Sequence, residues 1–233
     1  QDIAALSTTG LRGLSSSQLA ALTTDQVAAM GTQQLATLAT DRVSALTSTQ
    51  MAAMSAEQIN ALGATRIALL TSHQPAALET DDFPSLTTAH IVAIDAANVP
   101  ALTTSQIVAL TTRQASALKS GQLAAMTTNQ LVAIESQDFT AISSAALQGL
   151  NSSQLVSLGT LAIGSMSASQ VAALATNMLA SLTTSQIAYL STAQTAALQC
   201  AQFSALTTQQ VTALSTQDVA SLTTGALNGL TTA

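Results

Sequence analysis

The sequence predicts an all-α protein, a right-handed solenoid of very short helices with one helix in each eight-residue repeat. Three observations lead to this prediction: an unbroken eight-residue period, helix-start residues at a fixed place in each repeat, and two apolar places in each repeat. The period runs through 28 complete octads, from Ser7 to Leu230, without an insertion or a deletion. A short fixed period is typical of repeat architectures in which each unit packs on its neighbours.

The octad has the approximate consensus T-T-x-Q-[ILV]-A-A-L, as in the segment Thr103–Leu110. We number its places one to eight from Ser7. Place eight is Leu, Met or Ile in all 28 octads, and place four is Gln in 16 of them. Place five is apolar with few exceptions, which include Pro75, Ala115 and Thr195. The two apolar places give every octad side chains to bury, which argues against disorder.

Place one carries the helix-start signal. It is Ser or Thr in 17 octads, and these residues are favoured at the N-cap of a helix. A Gln three residues later completes a capping box, and the flanking apolar places form a hydrophobic staple. Thr103, Gln106, Leu102 and Ile107 show all four parts together. Each octad is therefore predicted to be a helix of about one and a half turns, which ends where the next helix begins.

The acidic residues agree with this assignment. All eleven, from Asp2 to Asp218, fall in the first four places of an octad. A helix N-terminus favours negative charge, because its unpaired backbone N–H groups carry a partial positive charge.

Two rival architectures fit the period less well. In one continuous helix, an eight-residue step would turn the apolar pair by about 80° per octad, so no buried seam would form. A β-solenoid is disfavoured because Ala, Leu, Gln and Met are poor strand formers and the apolar residues do not alternate. In the favoured solenoid, Leu and Ile or Val lie inside, and Thr and Gln lie outside. The sequence leaves open whether two or three octads make one coil.

The repeat predicts one domain over residues 1–233, with partial octads at both ends. Gln1 and Asp2 belong to the first partial octad, and Thr231–Ala233 form the last. Solenoids usually end in polar capping repeats, and neither end has one. We therefore expect a slice of a longer array, or a subunit whose ends dock on other subunits.

Composition excludes several functional classes. Five basic residues against eleven acidic ones argue against nucleic-acid binding, which needs clustered Lys and Arg. Polar residues return in every octad, so no segment has the roughly 20 apolar residues of a transmembrane helix. The single cysteine, Cys200, rules out a disulfide framework within one chain.

The most irregular stretch is Thr71–Leu102. It holds all three prolines, Pro75, Pro84 and Pro100, and both histidines, His73 and His90. We expect the solenoid to bend or expose its backbone here, because a helix-interior proline removes a hydrogen bond.

The same stretch contains the weak candidates for a metal site. Glu79, Asp81, Asp82 and Asp95 are oxygen ligands of the kind that calcium prefers. Their spacing matches no known ligand pattern, and placement at helix starts explains most of them. The prediction is therefore no metal site, with a structural irregularity favoured.

Other candidate features are equally general. Place two is Ser or Thr in 23 octads and predicts a row of surface hydroxyls, which would either bind ordered water or ice or simply form a neutral face. Cys200 takes place two and is expected near the surface. No Ser-His-Asp order, carboxylate pair, phosphate loop or haem attachment motif appears. We expect no catalytic residues and no cofactor.

The tandem segments LTTSQIVALTTRQASAL and LTTNQLVAI resemble repeats of very large secreted or surface proteins of Gram-negative bacteria. Those proteins are often labelled haem-utilisation or adhesion exoproteins. The resemblance covers the whole chain and implies an extracellular, elongated, adhesive or fibre-forming protein. It implies no site residues.

These observations favour a non-enzymatic structural protein outside the cell. It would act as a stalk, or assemble head to tail with copies of itself into a filament for surface attachment or matrix. The alternatives are a ligand-binding repeat module for a glycan, ice or a host protein, and a passive spacer within a giant adhesin.

Overall fold

The structure, a computed structural model, describes residues 3–71, 73–223 and 226. These residues form short helices joined by single turns, with no β-strand among them. The prediction of an all-α solenoid with one short helix per octad is confirmed. Gln1 and Asp2 of the first partial octad lie outside the described residues, as do Ser72 and the last partial octad, Thr231–Ala233.

The chain forms two compact units, Gln1–Ala117 and Leu118–Ala233. The boundary falls inside one octad, 111–118, and the period continues across it unchanged. A single domain over the whole chain stays a prediction.

The first unit contains twelve α-helices and two 3₁₀ helices among its described residues. The α-helices are Thr8–Arg12, Ser16–Ala20, Thr24–Ala28, Thr32–Ala36, Thr40–Val43, Ser48–Ala52, Ala56–Leu62, Ala64–Ile67, His73–Ala76, Thr88–Ala93, Thr104–Val108 and Thr112–Ala117. The 3₁₀ helices are Thr80–Ser85 and Ala96–Ala101.

The second unit contains thirteen α-helices among its described residues. They are Ser120–Ala125, Thr128–Ala133, Ser136–Ala141, Ser144–Leu147, Ser152–Ser157, Thr160–Ser165, Ala168–Ala172, Thr176–Ser181, Thr184–Ala188, Thr192–Ala196, Cys200–Ser204, Thr208–Ala213 and Thr216–Ser221.

Each helix begins where the sequence places its start. Place one is the N-cap, in extended backbone at most octads, and the helix opens at place two; His73–Ala76 is described from place three. At Thr103 the hydroxyl accepts a hydrogen bond from Gln106 N at 3.1 Å, and Thr103 N donates to Gln106 Oε1 at 2.9 Å. The capping box is thereby confirmed.

The core of each unit is formed by places five and eight. Ile107 and Leu110 are typical, with exposed fractions of 2% and 7%. The atypical place-five residues Pro75, Ala115 and Thr195 are buried as well. The Thr195 hydroxyl is satisfied by donating to Ser191 O at 3.2 Å. Isolated helices this short are unstable in water, so the burial of these side chains between coils stabilises them.

One coil takes between three and four octads, which is larger than either size the sequence left open. Helices three octads apart pack together, as Thr32–Ala36 does with Ala56–Leu62. Place-four side chains reach further back: Gln50 Nε2 donates to the carbonyl oxygens of Leu22 and Leu19, 28 and 31 residues earlier. Each octad therefore lies across the junction between two octads of the preceding coil.

The proline-rich stretch keeps the octad register. Pro84 and Pro100 lie inside the two 3₁₀ helices and are exposed, whereas Pro75 lies in an α-helix and points into the core. Thus two of the three prolines change the helix type from α to 3₁₀ and leave the repeat length intact.

At two positions the backbone geometry favours glycine over any residue with a side chain. Gly63 has φ 75° and ψ 158°, a region that side chains disfavour. A Cβ on Gly149 would lie less than 3.0 Å from backbone atoms of Ser120 in the preceding coil. At Gly149 the backbones of two coils therefore approach too closely for any side chain.

Candidate functional site

The main chemical feature of the fold is a row of buried glutamines at place four. This corrects the prediction that Gln lies outside: these side chains are at most 6% exposed. We call them the glutamine ladder, and its members with bonds to an earlier coil of the same unit are Gln34, Gln50, Gln58, Gln74, Gln106, Gln114, Gln154, Gln170, Gln186, Gln194, Gln202 and Gln210.

Each ladder side chain makes two kinds of bond. Its Oε1 accepts from the place-one N–H of its own octad at 2.6–3.0 Å. Its Nε2 donates to the place-eight carbonyl 28 residues earlier at 2.6–2.8 Å. The carboxamide thus caps one helix and joins its coil to the preceding one. Burial follows, because a fully bonded amide loses little on leaving water.

Some octads keep the bond to the preceding coil with a different side chain. Arg66 donates from Nε to Leu38 O and from Nη2 to Ala36 O, both at 2.8 Å. Asn98 donates from Nδ2 to Leu70 O at 2.7 Å.

An acid at place four reverses the direction of the bond. Asp218 is 5% exposed and accepts from the hydroxyls of Ser215, at 2.6 Å, and Thr192, at 3.1 Å. A carboxylate has no proton to give, so Asp218 cannot donate to a carbonyl as glutamine does.

His90 is the histidine of this row. It lies at place four, is 5% exposed, and its Nδ1 is 2.8 Å from Thr87 Oγ1. Burial lowers the pKa of His90 below 6.5, because removal from water disfavours the charged imidazolium. His73, in contrast, lies at place three and is exposed.

The four acidic candidates do not form a metal centre in the described part of the chain. No cluster of three or more His, Cys, Asp or Glu side chains suited to a metal occurs there. Glu79 and Asp81 are exposed, and Asp82 is half-buried. Asp95 accepts from Ala97 N at 2.8 Å, so it serves as an N-cap, in line with the helix-start interpretation.

The place-two residues form the outer surface. In every described octad place two is exposed or half-buried, and Cys200 is exposed as expected. Charges are few and scattered on this surface, and Arg42 and Asp41 make an ion pair at 3.6 Å. Among the described residues, no helix is long and apolar enough to cross a membrane.

In the described part of the chain, clefts lie at corners between successive coils, and three of them border a place-four residue. Gln114 borders one of about 270 Å³, Ala146 borders one of about 300 Å³, and Met178 borders one of about 660 Å³. All three of these residues occupy place four. A ladder glutamine borders only the cleft at Gln114. The clefts at Ala146 and Met178 were not predicted, although the break in the place-four Gln pattern marks both positions in the sequence.

An all-helical array of octads, in which a place-four side chain of many octads bonds to the preceding coil, defines a helical repeat protein. Matches to the ALTTAQ repeat cover residues 1–32, 27–64, 76–112, 100–128 and 131–168, well over half of the chain. The chain therefore belongs to the ALTTAQ repeat family. Among curated proteins, none matches it significantly.

Proposed function

We propose that this chain is a non-enzymatic structural protein that works outside the cell, as a stalk or as the subunit of an end-to-end filament for surface attachment or matrix. The observation that carries the proposal is the constant register of the glutamine ladder. Within each unit, every ladder glutamine donates to the place-eight carbonyl 28 residues earlier.

A contact between two copies through the ladder would favour growth into a filament. The face that gives amide donors and the face that gives carbonyl acceptors are different surfaces, so a contact between two copies would be heterologous. Heterologous contacts that do not close into a ring extend into filaments. The low content of charged side chains, 7%, reduces repulsion between copies.

Gln18 offers a direct way to test association through the ladder. It is exposed, its Oε1 accepts from Ser15 N at 2.8 Å, and its Nε2 donates to no residue in the described part of the chain. The change Gln18→Glu keeps the capping acceptor and removes the amide donor. The change Gln33→Glu, at an exposed place-three position, is the matched control because it adds the same charge.

The experiment is electron microscopy and sedimentation of the untagged 233-residue chain at neutral pH. Uniform fibres that Gln18→Glu abolishes and Gln33→Glu preserves would support filament assembly through the ladder. Discrete particles of constant mass would refute the filament and leave the stalk or the passive spacer. Saturable retention on a glycan, ice or host-protein matrix would instead favour the ligand-binding module.

The extracellular location rests on the resemblance to bacterial surface repeats. Antibody labelling of intact cells of the source organism tests it. Labelling only after the cells are made permeable would refute it.

A further inference from the structure

The glutamine ladder has a gap at Met178, in the octad 175–182. The ladder is intact on both sides, at Gln170 and Gln186. Met178 is 3% exposed, and its thioether can neither cap a helix as an amide does nor donate a hydrogen bond. Two backbone groups at this octad therefore lack the hydrogen bonds that a place-four glutamine makes with the equivalent groups in other octads.

The intact corner at Gln186 identifies those two groups. There Thr183 N donates to Gln186 Oε1 at 2.9 Å, and Gln186 Nε2 donates to Leu158 O at 2.7 Å. The equivalent groups beside Met178 are the N–H of Ala175 and the carbonyl of Leu150. Neither has a hydrogen-bond partner within residues 3–71, 73–223 and 226.

The residues that carry these two groups border a single cleft. Ala175, Leu150 and Met178 border the cleft of about 660 Å³, which also has Gln148, Asn151 and Asn177 on its walls. None of its lining residues is charged.

The corner at Gln114 is the comparison within the same fold. Its cleft is about 270 Å³, and Gln114 itself bridges Thr111 N and Leu86 O, at 2.8 and 2.7 Å. A third corner, at Ala146, also lacks the glutamine. Its cleft is only about 300 Å³, and the preceding coil lies close to Gly149 there. Of these three corners, the one at Met178 combines an unpaired backbone donor and acceptor with the largest cleft.

We infer that the Met178 cleft binds a primary carboxamide, the group at the end of a Gln or Asn side chain. An adjacent N–H and C=O are complementary to a group that has one carbonyl acceptor and one N–H donor side by side. A carboxylate is excluded because it would face the Leu150 carbonyl without a proton. A tertiary amide is excluded because it has no donor. This inference is independent of the proposed structural role.

The test uses the ¹⁵N-labelled 233-residue chain and the backbone amide signal of Ala175. Titration with propionamide should shift this signal saturably in the millimolar range, as expected for so small a ligand. Propionate and N,N-dimethylpropionamide should leave it unchanged. Equal shifts with all three compounds would overturn the inference, because they would show no requirement for the carboxamide.

Two variants of Met178 locate the binding. Met178→Gln supplies an internal carboxamide, so the propionamide shift at Ala175 should disappear. Met178→Leu keeps the gap with a similar apolar volume, so the shift should persist. A shift that survives Met178→Gln at full amplitude would overturn the inference.

A peptide titration distinguishes the two sources of the group. Acetyl-Gly-Gln-Gly N-methylamide should shift the Ala175 signal, and the same peptide with Glu in place of Gln should not. Binding of propionamide without the Gln peptide would assign the cleft to small free amides. A lack of binding by both would overturn the inference.

Discussion

Removal of one ladder glutamine should weaken the contact between two coils measurably. Gln186 is 3% exposed and donates to Leu158 O at 2.7 Å and Val156 O at 3.1 Å, while its Oε1 accepts from Thr183 N at 2.9 Å. Each such hydrogen bond contributes about 1 kcal/mol net to stability. A buried donor or acceptor that is left without its hydrogen bond destabilises the folded state further. We expect Gln186→Ala to lower the free energy of unfolding by about 3 kcal/mol.

The near-isosteric change Gln186→Glu isolates the donor function. The introduced carboxylate still accepts from Thr183 N, but it faces carbonyl oxygens that Nε2 now contacts at 2.7–3.4 Å. At neutral pH the loss should therefore exceed that of Gln186→Ala. Burial raises the pKa of the introduced carboxyl, so the folded state takes up the proton first and the loss should shrink on acidification.

The assay is urea unfolding followed by helical circular dichroism. Gln209, an exposed place-three residue of the same unit, is the matched control, and Gln209→Ala should change stability by less than about 0.5 kcal/mol. Equal losses for Gln186→Ala and Gln209→Ala would refute the structural role of the ladder. A Gln186→Glu variant with unchanged stability at neutral pH would refute the donor argument.

Three further changes test other parts of the fold by the same unfolding assay. Gly149→Ala should lower the free energy of unfolding by about 2 kcal/mol or more, because its Cβ would clash with the backbone of the neighbouring coil. Gly159→Ala is the control and should cost much less, because no atom lies within 4 Å of its Cβ. Equal losses for the two variants would contradict the close approach at Gly149. Burial lowers the pKa of His90, so the unfolded chain takes up the proton first and stability should fall as pH drops below 6.5; His90→Gln should flatten this dependence, and an unchanged curve would argue against it. Ala39 is an N-cap without a side-chain bond, at φ −65° and ψ 144°, so Ala39→Ser should add about 1 kcal/mol, and a loss would contradict the cap geometry.

The helix starts were predictable because they depend on neighbours in sequence. A Ser or Thr hydroxyl reaches the backbone N–H three residues on, and that distance is fixed by helix geometry alone. Thr103 with Gln106 shows the predicted pair, and Cys200 lies on the surface as its place in the octad implied. The apolar places five and eight were equally local, since they follow from one octad.

The position of glutamine and the coil size were not predictable from one octad. A lone Gln counts as a polar surface residue, and its burial depends on a carbonyl 28 residues away, such as Leu78 for Gln106. The hydrogen bonds within one octad do not indicate which carbonyl of the preceding coil lies opposite its glutamine. The acids Glu79 and Asp95 illustrate the reverse case: local placement at helix starts accounted for them, and no cluster with a metal-binding geometry formed in the described residues.

The replacements at place four show why glutamine dominates there. Asn98 donates to Leu70 O, and the N-cap of its octad, Asp95, accepts from Ala97 N. Arg66 donates three hydrogen bonds but has no acceptor for an N-cap N–H, and Asp218 accepts from Ser215 N but has no donor. Each replacement keeps either the donor or the acceptor function of the glutamine side chain, but not both. A carboxamide on a two-carbon stem provides an acceptor for its own helix and a donor for the preceding coil. An octad that repeats indefinitely needs both, since every octad must start its own helix and hold the coil before it.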